Sequence, residues 1–213
     1  MQLSGRGDSE IRRDRARNVF LNVPYDKQYE PLLPAFIAGI CAFGLTPRAT
    51  IEIPGSQRRL DRIIRLIGQC AYSFHDLSRV TVGGAAPRTP RFNMPFELGL
   101  AVDKSIGART RHHWFVFESQ AHWLNKSLSD LDGTDPHIHN NQAEGVLRGL
   151  LNALAQRRKS PTLSELESAY RDLKKSASKL KKDLGGASLF EARAFKDLIL
   201  IANDLETRRL TAE

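Results

Sequence analysis

The chain has 213 residues, 41% of them hydrophobic and 26% charged, and its 32 Lys and Arg against 24 Asp and Glu give a net charge of +8 at pH 7. At roughly 150 residues per domain this length predicts one domain with an appendage, and the composition excludes fibrous, collagen-like and intrinsically disordered classes. The longest uninterrupted apolar stretch, Ala35 to Leu45, has 11 residues including two glycines, well short of the ~20 that a membrane-spanning helix needs.

Residues 1 to 17 hold five arginines and three acids with no apolar core behind them. They predict a basic, flexible N-terminus rather than a secretory signal, and hence a cytoplasmic protein. Asn18-Val-Phe-Leu-Asn-Val-Pro24 is a β-branched and aromatic run stopped by proline, the pattern of a buried strand reaching a loop. Residues 31 to 43 are apolar all round and end at Gly44, which predicts a first helix with Pro31 or Pro34 in its opening turn. Leu45 to Ile53 reads as a second strand ending at the turn pair Pro54-Gly55. After Ser56, a candidate N-cap, Leu60, Ile63, Ile64 and Ile67 form the apolar stripe of a second helix, with Arg58, Arg62 and Arg65 on another face. Ala71 to Leu77 predicts a third strand, Ser78 to Pro90 a loop, residues 94 to 105 a third helix, and His113 to Phe117 a fourth strand.

Strands alternating with helices at this spacing predict an α/β fold, a flavodoxin-like parallel sheet with flanking helices over residues 18 to 158. Within it, an irregular polar segment runs from residue 120 to Asn141, and an amphipathic helix follows with Val146, Leu147, Leu150, Leu151 and Leu154 on one face. From Leu163 the apolar positions fall at 163, 166, 170, 173, 177, 180 and 184, alternating steps of three and four. That is a coiled-coil seam, broken by Gly185-Gly186 and resumed over residues 187 to 209, so residues 159 to 213 predict a C-terminal helical hairpin. The hairpin has two partners open to it, its own domain or a second copy in a homo-oligomer. Its basic outer face leaves nucleic acid as a third, less favoured partner, because no aromatics interleave the cations for base stacking.

In such sheets, ligands bind outside the carboxyl ends of the strands, where strand order reverses. Three segments reach that edge: Tyr25-Asp26, His75-Asp76 and the approach to the third helix. In Arg91-Phe-Asn-Met-Pro-Phe-Glu97-Leu-Gly-Leu-Ala101, Pro95 suits a first helical turn, which places Glu97 near the positive end of the dipole, where a carboxylate stays ionised. Such a group stabilises or attacks the oxocarbenium-like state of glycosidic cleavage. The alternative is a first-turn acid that only offsets the dipole. Asp76, at the end of the third strand, either orients a sugar or base or closes an Asx turn. His75 is a packed strand residue or a general acid. Tyr25 offers a nucleotide an aromatic face, and Asp26 is a ribose-binding carboxylate or the cap of a turn. Arg91 is the candidate anion contact, with Asn93 beside it in the substrate-binding set.

The order of elements, together with Phe96-Glu97-Leu-Gly-Leu-Ala101, resembles the Glu-Leu-Gly-Tyr-Ala type of motif in nucleoside 2-deoxyribosyltransferases, and the architecture resembles the related Toll/interleukin-1 receptor (TIR) domains. The resemblance covers roughly residues 18 to 118. It implies that Glu97 is the nucleophile or cation stabiliser, assisted by Asp76, in N-glycosidic cleavage or transfer on NAD or a nucleotide, as in bacterial antiviral defence. The transferases carry small residues before the glutamate where this chain has Arg91, Asn93, Met94 and Pro95. The rival expectation is a non-catalytic nucleotide sensor or scaffold that signals through its helical tail.

Two cysteines, Cys41 and Cys70, are too few and too far apart for a disulfide framework or a structural zinc site. His137 and His139 have no pattern that completes a metal site. Absence of Gly-x-Gly-x-x-Gly, P-loop and Gly-x-Ser-x-Gly motifs removes the usual signatures of dinucleotide reduction, P-loop hydrolysis and α/β-hydrolase chemistry. No cofactor or metal is expected.

Overall fold

The computed structural model describes residues 4–52, 58–79, 92–107, 112–121, 128–131, 133–158 and 160–211. Strands β1 (Asn18–Asn22), β2 (Thr46–Arg48), β3 (Tyr72–Asp76), β4 (His113–Glu118) and β5 (His137–Ile138) form one parallel sheet in the order β2-β1-β3-β4-β5. The fold is α/β and flavodoxin-like, with its order reversing between β1 and β3.

Period-2 alternation sorts the strand side chains between two helical layers. Val19 and Leu21 of β1, Phe74 of β3 and Phe117 of β4 share one apolar cluster with α2 (Leu33–Ala42) and α5 (Ala143–Ala153). Phe20 packs on the opposite face with α3 (Arg59–Gly68) and α4 (Asn93–Gly107). Every residue of α2 is buried. A helix that is apolar all round needs cover on both sides. The sheet covers one side, and α6 (Leu163–Asp183) with α7 (Ala192–Thr211) covers the other. The tail therefore packs in cis, and its core is continuous with that of the α/β body. Leu166, Ala169, Leu173 and Ala177 line the buried seam of α6. The turn that separates the two helices runs through Gly185 (φ 69°) and Gly186 (φ 87°), in the left-handed region that glycine enters without a Cβ penalty.

Four local expectations change. The arginine-rich N-terminus, expected to be flexible, is helical over Ser4–Arg17 (α1), and Arg15 Nε donates to the Gly68 carbonyl at 3.2 Å. In α3 the buried face is Ile63, Leu66 and Ile67, while Leu60 and Ile64 are exposed. The second strand shortens to three residues and gives way to a 3-10 turn, Thr50–Glu52. Finally, the polar segment to Asn141 contains β5, whose two residues are too few to show alternation. Pro54, Gly55, Ser56 and most of the predicted Ser78–Pro90 loop lie outside the described residues.

Candidate functional site

At the carboxyl end of β1, beside the reversal in strand order, lies a cavity of about 360 Å³. Its walls come from Asn22 and Tyr25 after β1, Thr50 of the 3-10 turn, Arg59 at the start of α3, and Asn93 and Glu97 of α4. The volume is in the range of small-molecule sites. A larger hollow of about 500 Å³ follows β5 and α5, but its charged side chains, Glu144 and Arg148, are exposed and satisfied by each other at 2.8 Å. Of its histidines, His137 packs against Phe115 and Phe117, with burial pushing its imidazole down, and His139 is bound to Asp76.

Glu97 is 3% exposed. Helix α4 begins at Asn93, two residues before Pro95, so Glu97 is its fifth residue and the first turn contains no acid. The dipole falls off within that turn. Burial therefore dominates: it pushes the Glu97 carboxyl up to about 7, with the Arg59 guanidinium pulling the other way. The expectation of a fully ionised carboxylate is corrected accordingly. Arg59 Nη2 is 3.9 Å from Glu97 Oε1, and the arginine side chain is 62% exposed. A solvated cation at that distance tunes the acid without sealing it.

Tyr25 lines the cavity and its hydroxyl lies 3.4 Å from Thr50 Oγ1. Burial pushes its phenol up to about 12, so it meets a ligand as a neutral hydroxyl and an aromatic face. Asn93 is exposed at the mouth. Asp26 is committed elsewhere. Its Oδ1 accepts from the backbone N–H of Gln28 (3.1 Å) and Tyr29 (2.9 Å), and its Oδ2 faces Arg79 Nε at 3.4 Å, the geometry of a turn cap. Arg91 lies outside the described residues.

Asp76 is not brought to Glu97. It follows Phe74 on the α2 side of the sheet, whereas Glu97 descends from α4 on the other side. There Asp76 is fully buried, accepting from the Tyr29 hydroxyl, from His139 Nε2 at 2.9 Å and from the Ser78 N–H at 2.9 Å. His139 Nδ1 accepts from the Asn141 N–H at 3.1 Å, so the ring's proton is on Nε2. Ser78 Oγ, 3.0 Å from that nitrogen, must accept from it. The trio has the composition of a nucleophilic triad with its polarity reversed, and it acts as a structural knot. His137 packs against Phe115 and Phe117 instead, so the histidines in and just after β5 serve separate neighbours. Among the described residues no group of three or more His, Cys, Asp or Glu is placed to hold a metal ion.

His75 points to the α4 side. Its Nδ1 lies 3.0 Å from Asn22 Nδ2, and burial together with His112 pushes its imidazole down to about 3, which removes it as an acid at neutral pH. Arg59 and Asn22 belong to the cavity but carried no motif. Arg59 was not singled out beside Arg58, Arg62 and Arg65, and Asn22 stood only as a position within the first strand run. The signal available for Asn22 was a polar residue interrupting that run at the strand's carboxyl end. The chain matches no family model, no curated protein and no solved structure.

Proposed function

We propose that the cavity binds NAD or a related nucleotide and that Glu97 promotes cleavage or transfer of its N-glycosidic bond. The observation that carries this reading is a buried carboxyl near neutrality, in the wall of a cavity at the sheet's reversal point, paired among the described residues only at 3.9 Å with the solvated Arg59. The C1′–N bond breaks with its electron pair going to nitrogen, the sugar becomes an oxocarbenium cation, and the Glu97 carboxylate stabilises that charge in a desolvated wall. Water or another hydroxyl then adds to C1′ and releases a proton.

Two of the residues first considered as acids do not serve a purine leaving group. Asp76 is on the far face and His75 remains neutral, so neither supplies the proton that a departing purine needs. Nicotinamide leaves a cationic pyridinium as a neutral molecule and needs none. A cationic ligand also lowers the pKa of the adjacent Glu97, ionising it on binding. The resemblance to nucleoside 2-deoxyribosyltransferases and TIR domains supports the same chemistry, in a cytoplasmic defence protein that depletes a nucleotide.

One contact favours a second reading, nucleotide sensing without turnover. Tyr25, in the cavity wall, packs at a tilt against Phe190 at the tip of the α6–α7 hairpin, ring centroids 5.1 Å apart, and so joins the pocket to the tail. Incubation of the protein with NAD, nucleotides and deoxynucleotides, with base release followed by chromatography, decides between them. Base release from NAD that disappears in Glu97→Gln supports the glycosidic reading. Binding without release supports the sensor, and unchanged release in Glu97→Gln removes Glu97 from the mechanism.

A further inference from the structure

Asn22 ends β1 with its carboxamide buried and one side in the cavity wall. Its Nδ2 makes two contacts, 3.2 Å to the Met94 carbonyl and 3.0 Å to His75 Nδ1. A carbonyl can only accept, so the Met94 contact fixes which end of the amide is nitrogen: the flipped amide would set two oxygens against each other. With both N–H groups spent, Oδ1 is the amide's remaining polar atom. His75 Nδ1 must accept, which puts the ring proton on Nε2.

That assignment exposes a cost. Among the described residues His75 Nε2 is buried without a hydrogen-bond partner, and an orphaned buried donor is destabilising. A phenylalanine would fill much the same space, edge-on to Phe20 at 5.9 Å between ring centroids, with no orphan. The one polar contact that gives the imidazole a purpose is the one to Asn22, and an unsatisfied group of this kind marks a constraint beyond stability. Met94 is three residues before Glu97 on α4, so the amide tied to it sits within one helical turn of the catalytic carboxyl, the span of a sugar ring.

We infer that Asn22 Oδ1 is a fixed acceptor for a hydroxyl of the pentose whose anomeric carbon faces Glu97, and that His75 is the positioning residue that holds the amide in that orientation. The inference rests on the reading of the cavity as a glycosidic site and adds how the sugar is read: by a hydroxyl that must donate.

Two measurements test it. Long-range ¹H–¹⁵N spectra of the imidazole rings in the ligand-free protein should show His75 protonated on Nε2; a ring protonated on Nδ1 overturns the assignment. Calorimetry in the Glu97→Gln background, with nicotinamide mononucleotide and its 2′-deoxy and 3′-deoxy forms as probes, should show one deoxy form binding about tenfold more weakly. Adding Asn22→Ala, or the volume-conserving His75→Phe if the first fails to fold, should shrink that penalty to less than twofold. Equal penalties with and without Asn22, or no penalty from either deletion, overturn the inference. If the wild-type protein still releases nicotinamide in that case, the glycosidic reading survives. Neither binding nor release of any probe removes both.

Discussion

The ring of Phe190 lies 5.1 Å from that of Tyr25, so the tip of the C-terminal hairpin backs one wall of the cavity that contains Glu97. The tip is anchored beside it by Glu30, whose carboxylate accepts from Lys181 Nζ, from Ser188 Oγ at 2.7 Å and from the Leu189 N–H at 2.7 Å. Burial alone would raise that carboxyl; its donors outweigh burial and hold it below the ordinary value. Since the folded pKa is depressed, the anchor's contribution is present above the unfolded value and is lost as pH falls through the folded one.

Truncating this contact should loosen the wall rather than the chemistry. Phe190→Ala is expected to raise KM for nicotinamide release several-fold with kcat within twofold, and to lower stability by about 1–2 kcal/mol, less than for a fully buried phenylalanine. Steady-state kinetics and denaturant titration check both numbers.

Glu97 makes stability fall as pH rises. Its folded pKa, about 7, exceeds the ordinary 4.5, so the preference of the folded state for the protonated form is complete below 4.5 and is lost as pH rises through 7. Glu97→Gln should match wild type near pH 4 and exceed it at pH 8 by on the order of 3 kcal/mol, roughly 6–12 °C in Tm. Activity should run the other way, kcat/KM rising with pH about a midpoint close to 7. Arg59→Gln should move that midpoint upward, by an amount that shrinks with added salt because the arginine is solvated.

Asp76 should matter to folding and not to the reaction. Asp76→Ala leaves the Tyr29 hydroxyl and the Ser78 N–H without their buried acceptor, and the expected loss is about 3 kcal/mol. Base release per folded molecule should stay within threefold of wild type; a hundredfold loss at full occupancy of the folded state would return Asp76 to the mechanism.

Gly145 packs directly against the backbone of His139 at the joint between β5 and α5. A Cβ on Gly145 would lie 2.5 Å from the His139 carbonyl oxygen and 2.6 Å from the His139 Cα, and backbone cannot step aside as a side chain can. Gly145→Ala should destabilise by about 2–3 kcal/mol. Gly39→Ala should cost less, since the atoms that a Cβ would crowd there belong to the flexible ends of Leu150 and Leu147.

The alternation of strands and helices was legible because β1 and β4 hold β-branched and aromatic runs, α2 is apolar throughout and α3 has a repeating stripe. Stripe orientation was harder: in α3 the pattern 60, 63, 64, 67 differs from the buried set 63, 66, 67 by a small rotation, which packing on α4 and the sheet decides. Glu97 was legible from its motif. Its protonation was not, because that depends on where α4 begins and on how deeply the carboxyl is buried.

Local patterning by itself determined that α2 must be enclosed and that a seam runs from 163 to 184, since these follow from which side chains avoid water at a 3.6 residue period. Only the tertiary structure decided that the seam closes on α2 of the same chain, that Asp76 and Glu97 face opposite sides of the sheet, and that Asn22 and Arg59 join the cavity. The physical reason is that hydrophobic periodicity records how much surface each segment must bury. The partners that bury it, and the hydrogen bonds that fix buried polar groups, are set by residues 50 to 150 positions away along the chain.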